Sequence, residues 1–217
     1  MRTDVDGGTA VVSLGDGPNA FTAGFLAEVN AALDEAEAET DVRAVVTTGA
    51  GKHYSNGFDL EFMGSLEGRA LDAFLLDSRA LLARVLTYPL PIAAALNGHA
   101  FGIGAMLALA HDRRVMRTDR GWFCLPEIDL GMQFHPLMLA LVTHRLGQVR
   151  AEEAILTGRR YDGAAAVDAG IAHALADVDA LVPAAAEAVA PLAGKGRDIA
   201  VALKAQLHAE VLQHLPA

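Results

Sequence analysis

Two periods of apolar residues alternate along this chain. Short apolar runs closed by glycine read as buried strands: Ala10 to Leu14 ahead of Gly15 and Gly17, and Arg43 to Thr48 ahead of Gly49 and Gly51. Between them Phe25, Leu26, Val29, Ala32, Leu33 and Ala36 recur at helical spacing, which predicts a helix over 23–39 with Thr22 as its N-cap. Its other face carries Glu28, Asp34, Glu35, Glu37 and Glu39 and is solvated. A second stripe of Leu71, Phe74, Leu75, Ser78, Leu82 and Val85 predicts a helix over 69–87, stopped by Pro89 and Pro91. Arg113 to Arg117 and Trp122 to Leu125 follow as short strands, Pro126 to Met132 as a turn, and Pro136 opens a helix towards Arg145. Beyond Gly147 the pattern is helical over 151–156, 163–169, 178–193 and 198–215. Strand and helix alternating, then helices alone, argue for an α/β class with crossover connections. No linker or low-complexity tract interrupts it.

The stretch from Pro91 to Asp112 has two readings. It carries no acidic or basic side chain before Asp112, and an apolar run of about 20 residues is long enough to span a bilayer. The alternative is a strand (Ile92 to Leu96), a glycine turn (Asn97 to Gly104) and a helix (Ala105 to His111). Pro91 and Asn97 interrupt a spanning helix, and each of Gly98, Gly102 and Gly104 costs its interior about 1 kcal/mol. No flanking Lys/Arg bias accompanies the run. The strand–turn–helix reading is therefore preferred, and no membrane association is expected.

Composition narrows the partners. With 217 residues and 53% hydrophobic content, the chain has enough apolar material for one large core. Its formal net charge of −10 argues against a nucleic-acid partner but leaves room for an anionic small ligand at helix N-termini. The single Cys124 precludes an internal disulfide and reads as a small buried hydrophobe. The N-terminal MRTDVDGG lacks the apolar run of a signal peptide, and HLPA is no peroxisomal address, so a cytoplasmic location is expected. His53, His99, His111 and His144 follow no metal-ligand spacing, and no metal is assigned.

Three segments carry candidate chemistry. SNGFDL (Ser55 to Leu60) and NGHAFGIG (Asn97 to Gly104) are glycine loops that each follow a buried strand, and PEIDLGM supplies Glu127 in apolar company. Two loops aiming N–H donors at one oxygen, plus one acid, suit proton abstraction beside a carbonyl. Strand–glycine–helix turns are common in α/β proteins, so spacing alone leaves a solvated or capping Glu127 open.

These same residues resemble the crotonase (enoyl-CoA hydratase/isomerase) superfamily. SNGFDL is similar to its A-G-x-D-L loop, NGHAFGIGAMLALAHD to its N-G-x-A-x-G-G-G-x-x-L-A-x-x-x-D segment, and PEIDLGM to its P-E-x-x-x-G segment. LTGRRYDGAAAVDAGIAHAL is similar to a further family segment, so the resemblance covers nearly the whole chain in register. It implies a single integrated domain, with a ββα spiral core over 1–160 and a helical, trimerising C-terminal region over 161–217. It further implies a homotrimer or hexamer acting on an acyl-CoA thioester, with coenzyme A part of the substrate and no separate cofactor. The backbone N–H groups of Phe58 and Ile103 would form an oxyanion hole, Glu127 would be the catalytic acid–base, and Asn56, Gly57, Gly102, Met106, Leu130 and His135 would line the substrate site.

Met106 selects among the family's reactions. Hydratases of the family carry a glutamate there beside the one matching Glu127, and the pair handles water; Met106 neither accepts nor donates that proton. One acid suffices to move a double bond, which implies the chemistry of Δ3,Δ2-enoyl-CoA isomerases. Hydration, thioester hydrolysis and simple acyl-CoA binding by a decayed site are the alternatives. So is a serine protease of the related spiral fold, for which no Ser/His/Asp register is visible. Other residues have plainer readings. Asp129 is a turn-former or ion-pair partner, His135 a structural histidine before Pro136, Asp59 a fastener of its own loop, and Lys52, Lys195 and Lys204 surface cations. Phe62 and Phe74 read equally as acyl-pocket lining or core.

Overall fold

A computed structural model describes residues 1–215. Strand β1 (Arg2–Asp6) pairs antiparallel with β2 (Thr9–Ser13), and β2 runs parallel to β3 (Ala44–Thr48). The sheet continues through β5 (Ile92–Leu96) and β7 (Arg113–Arg117) to β9 (Ala174–Ala176), giving six strands in the order β1-β2-β3-β5-β7-β9. A second, three-stranded parallel sheet is built from β4 (His53–Ser55), β6 (His99–Phe101) and β8 (Phe123–Cys124). Each repeat thus gives one strand to the large sheet and the next to the small one. This is the ββα spiral that the resemblance implies.

Helices close both faces of the large sheet. Helix α1 (Ala23–Ala38) begins at Thr22, whose side chain accepts from Phe25 N at 3.1 Å, as the sequence predicts. A short α2 (Leu60–Gly64) precedes α3 (Arg69–Leu86), and α4 (Ile103–Ala110) is buried at every position. Alternation along β5 divides the core: Ile92, Ala94 and Leu96 join the main cluster with α1, α3 and α4, while Ala93 and Ala95 face the other way. That second face is covered by α9 (Leu181–Val189) through Leu181, Ala185 and Val189.

Between β8 and α9 lie α5 (Glu127–Leu130), α6 (Pro136–Leu146), α7 (Gln148–Thr157) and α8 (Gly163–Asp168). After α9 come α10 (Arg197–Leu207) and α11 (Ala209–Leu212), a break at His208 in what the sequence reads as one helix. Several expectations are corrected. The glycine turn Asn97 to Gly104 contains β6, and the turn Pro126 to Met132 contains α5, closed by Gly131 in the left-handed region. The C-terminal region is helical except for β9, which returns to the large sheet beside β7. No helix among the described residues is long and apolar enough to cross a membrane.

One half-buried ion pair ties this C-terminal region to the core. Lys204 Nζ on α10 donates to Asp112 Oδ2 at 2.7 Å and to the carbonyls of Tyr88 (2.9 Å) and Leu90 (3.3 Å). Asp112 also accepts from Ile92 N at 3.0 Å, at the start of β5. Removing the cation strands a carboxylate that is 9% exposed. Lys204→Ala is therefore expected to destabilise the protein by about 3 kcal/mol, the scale of a broken buried pair, as read by urea unfolding.

Candidate active site

The three glycine- and acid-bearing segments emerge from the same ends of β4, β6 and β8, because parallel strands deliver their following loops to one edge. After β4, Gly57 takes φ +86°, a conformation that L side chains rarely adopt. A methyl there would lie 2.8 Å from Phe101 O and 3.7 Å from Ile103 N, so this loop sits directly against the start of α4. Ile103 is the first residue of α4, where a backbone N–H has no acceptor within its own helix. Phe58 follows Gly57, and its N–H finds no acceptor among the described residues. Two free donors thus stand on adjoining loops. Ile103 stands where the family that the sequence resembles usually has glycine, and its side chain is turned into the core, 1% exposed.

Glu127, the first residue of α5, comes to the same place. A methyl on Gly102 would lie 3.4 Å from Glu127 Oε1. The carboxyl is 8% exposed, its Oε2 has no hydrogen-bond partner, and burial pushes its pKa up to about 7 against a lesser lowering by its own backbone N–H. Around it is a cavity of about 520 Å³. Asn56, Gly57, Phe58, Gly102, Ile103, Met106, Glu127 and Leu130 all line it, together with Met132, Phe134 and Met138, which make its far wall apolar.

Not every expected residue arrives. His135 is absent from the cavity wall; its Nδ1 accepts from Leu137 N at 3.2 Å and caps α6, the structural role open to a residue before proline. Asp59 lines the entrance, but its carboxylate accepts from Phe62 N at 2.9 Å and caps α2. Asp129 lies outside the cavity against Gly158. Phe62 and Phe74 pack on one another edge-to-face, 5.3 Å apart, and contribute to the core rather than the cavity. The Ser55 side chain is wholly buried and donates to Asn19 O at 2.8 Å, so this hydroxyl is not presented to the cavity as a nucleophile. Among the described residues no group of three or more His, Cys, Asp or Glu side chains is placed to hold a metal ion.

A buried polar chain behind the site escapes sequence reading. His111 Nδ1 lies 2.8 Å from Leu107 O, an acceptor only, so Nδ1 carries the proton. Burial lowers this imidazole's pKa to about 3, so the ring is neutral and Nε2 accepts from Thr47 Oγ1 at 2.8 Å. Thr47 in turn accepts from Tyr54 Oη, also at 2.8 Å. The end of α4, the centre of β3 and the strand leading to Phe58 are thereby joined in one directional chain. Its only sequence signal is polar residues inside apolar runs.

Most of the chain is similar to proteins of one family. The model of the Enoyl-CoA hydratase/isomerase family matches residues 5–217. The chain is 36% identical over 169 residues to enoyl-CoA delta isomerase 2, peroxisomal, of Arabidopsis thaliana, covering 75% of this chain and 70% of that protein. It is 33% identical over 189 residues to a probable enoyl-CoA hydratase of Bacillus subtilis, covering 86% and 72%. Among solved structures, the probable enoyl-CoA hydratase EchA3 of Mycobacterium tuberculosis superposes with a TM-score of 0.89 at 30% identity, covering 99% of this chain and 90% of that one.

The raised pKa of Glu127 links the site to stability. The folded carboxyl keeps its proton up to about pH 7, whereas the unfolded chain releases it near 4.5. The stability of the protonated form is complete below the lower value and is lost as pH rises through the upper one. Glu127→Gln, which cannot ionise, is expected to be more stable than the parent by on the order of 2 kcal/mol at about pH 8, with the difference shrinking towards zero near pH 4–5. Paired urea titrations at the two pH values check this.

Proposed function

The chain belongs to the enoyl-CoA hydratase/isomerase family, and from that membership we propose that it is a Δ3,Δ2-enoyl-CoA isomerase acting in fatty acid metabolism. The observation that carries the reading is the acid count of the cavity. Glu127 is the one lining acid whose carboxylate is not engaged in capping a helix, and Met106, which lines the same cavity, matches the position at which the family's hydratases carry their second glutamate.

In this reading the thioester carbonyl of a 3-enoyl-CoA accepts from the N–H groups of Phe58 and Ile103. Glu127 takes a proton from the α carbon, and the electron pair of that C–H bond spreads into a dienolate whose oxygen the two donors hold. The same carboxyl returns the proton to the γ carbon, the double bond settles at the 2-position, and the base is regenerated. A pKa of about 7 suits a group that must both accept and release a proton at neutral pH. Met106, Phe134 and Met138 give the acyl chain an apolar wall, and Asn56, Gly57, Gly102 and Leu130 border the reacting end. Assembly as a homotrimer or hexamer belongs to the same reading. Val149 and Leu156, largely exposed on α7, offer apolar surface for another copy.

Glu127→Gln is expected to lower turnover of a 3-enoyl-CoA by at least about 100-fold while substrate analogues still bind. In the parent, conversion of 3-enoyl-CoA to 2-enoyl-CoA is expected, with α-hydrogen exchange in deuterated buffer. Consumption of a 2-enoyl-CoA alone would make the chain a hydratase, and tight binding without exchange would make it an acyl-CoA-binding protein. A methyl on Gly104 would lie 2.6 Å from Ser55 Cβ, between α4 and β4. Gly104→Ala is accordingly expected to spread the two donors and cost turnover about 10- to 100-fold, approaching the loss of one oxyanion contact.

A further inference from the structure

A second cavity, of about 660 Å³, lies apart from the one that holds Glu127, and the two share no lining residue. It lies beneath α10, bounded by the segments that lead into β3, β5 and β7 and by the end of α6. Its walls are of two kinds. Leu90, Pro91 and Leu192 form an apolar floor, and Ile199, Leu203 and Leu207 form a ridge along one side of α10. Those three ridge residues are 58%, 50% and 68% exposed, so nothing described in the chain covers them.

The rim is cationic. Six basic side chains line the cavity against one carboxylate, Asp112, which is already bound to Lys204. Arg43 and Lys195 have no carboxylate partner among the described residues, and Arg113 donates only to the Asp112 carbonyl, at 3.0 Å. Arg145 donates to the carbonyls of Ala110 (3.2 Å) and His111 (3.3 Å), and its buried Nε has no hydrogen-bond partner. Burial holds this guanidinium below its ordinary pKa range. In a chain of net charge −10, such a concentration of unpaired cations beside exposed apolar surface is a local reversal of the overall balance.

We propose that this cleft binds an amphipathic monoanion of the medium-chain carboxylate class, one per chain, with its alkyl chain along Leu90, Leu203 and Leu207 and its carboxylate towards Arg113 and Arg145. Arginine forks match a carboxylate in geometry and charge, and an apolar cleft with a few convergent polar groups is the usual form of a small-molecule site. The cations on the rim that have no carboxylate partner favour an anionic occupant over a purely apolar one.

Calorimetric titration of the full chain with decanoate, kept below its micelle threshold, tests the proposal. Saturable binding at one per chain is expected, weakened at least about tenfold in Arg113→Gln, the scale of one charge-assisted contact, and weakened as well in Lys195→Gln. Decanol, which keeps the chain and lacks the charge, is expected to bind at least about tenfold more weakly by the same reckoning. Glu127→Gln is expected to leave the affinity unchanged, which separates this cleft from the catalytic cavity and from the isomerase reading. Equal affinity for decanol, indifference to the rim variants, or sensitivity to Glu127→Gln would overturn the assignment. So would an assembly that dissociates in Leu203→Asp while the parent binds no decanoate, because the ridge would then belong to another copy.

Discussion

Everything in the candidate site depends on where one eight-residue helix begins. Helix α4 must present the Ile103 N–H beside the Phe58 N–H, on a different loop of a different strand. Its start is fixed by contact, since the space between Gly104 and Ser55 admits no side-chain carbon. Its end is fixed by charge and hydrogen bonds. Arg114 donates to Leu109 and His111 carbonyls, Arg145 to those of Ala110 and His111, and the His111 ring is tied through Thr47 to Tyr54. A helix held this way at both ends has little freedom to rotate or slide, and pre-organised donors need that fixity.

The same arrangement polarises the helix. Cationic guanidinium groups cluster on its carbonyl end, where they favour the dipole, while its amide end opens on the cavity. Negative charge that develops on a ligand oxygen there meets aligned N–H groups in an apolar surround. Glu127 sits in that surround at a cost, because burial opposes its ionisation and one of its oxygens has no partner. A structure selected for stability alone would have satisfied or removed this carboxyl. An unsatisfied carboxyl facing a cavity is the kind of local inconsistency that points to chemistry rather than architecture.

How much of this was legible in the sequence follows from how far apart the interacting residues lie. Ile92 to Leu96 and Arg113 to Arg117 were readable to the residue, since each is a short apolar or mixed run bounded by proline, asparagine or a polar turn. Thr22 as a cap and the α1 stripe were equally local. By contrast β4 and β6 have three residues each, too short for any period to show, and their polar His53 and His99 read as loop, whereas β8 lies inside the run Trp122 to Leu125 that reads as a strand. Strand β1, with Val5 its only apolar residue, is an edge defined by pairing with β2 rather than by burial. The Thr47–His111 contact spans 64 positions, and nothing in either residue's neighbourhood announces the other. The resemblance located Glu127 and the two loops, but only the fold separated His135 and Asp129 from the cavity they flank in sequence.

Met106 shows how a residue with no chemistry of its own constrains a reaction. It is 1% exposed on α4, one turn beyond Ile103, and it occupies wall that a second carboxylate would have to share with Glu127. Two carboxylates in one desolvated cavity would repel, raising one pKa well above the other. With Met106 in place, the raised pKa of Glu127 has burial as its leading cause, so a single group sits near neutrality without a charged neighbour to set it. In the isomerase reading the absent acid does two things at once: it removes the second proton carrier that hydration would use, and it leaves a single carboxyl, tuned chiefly by burial, to accept and return the proton.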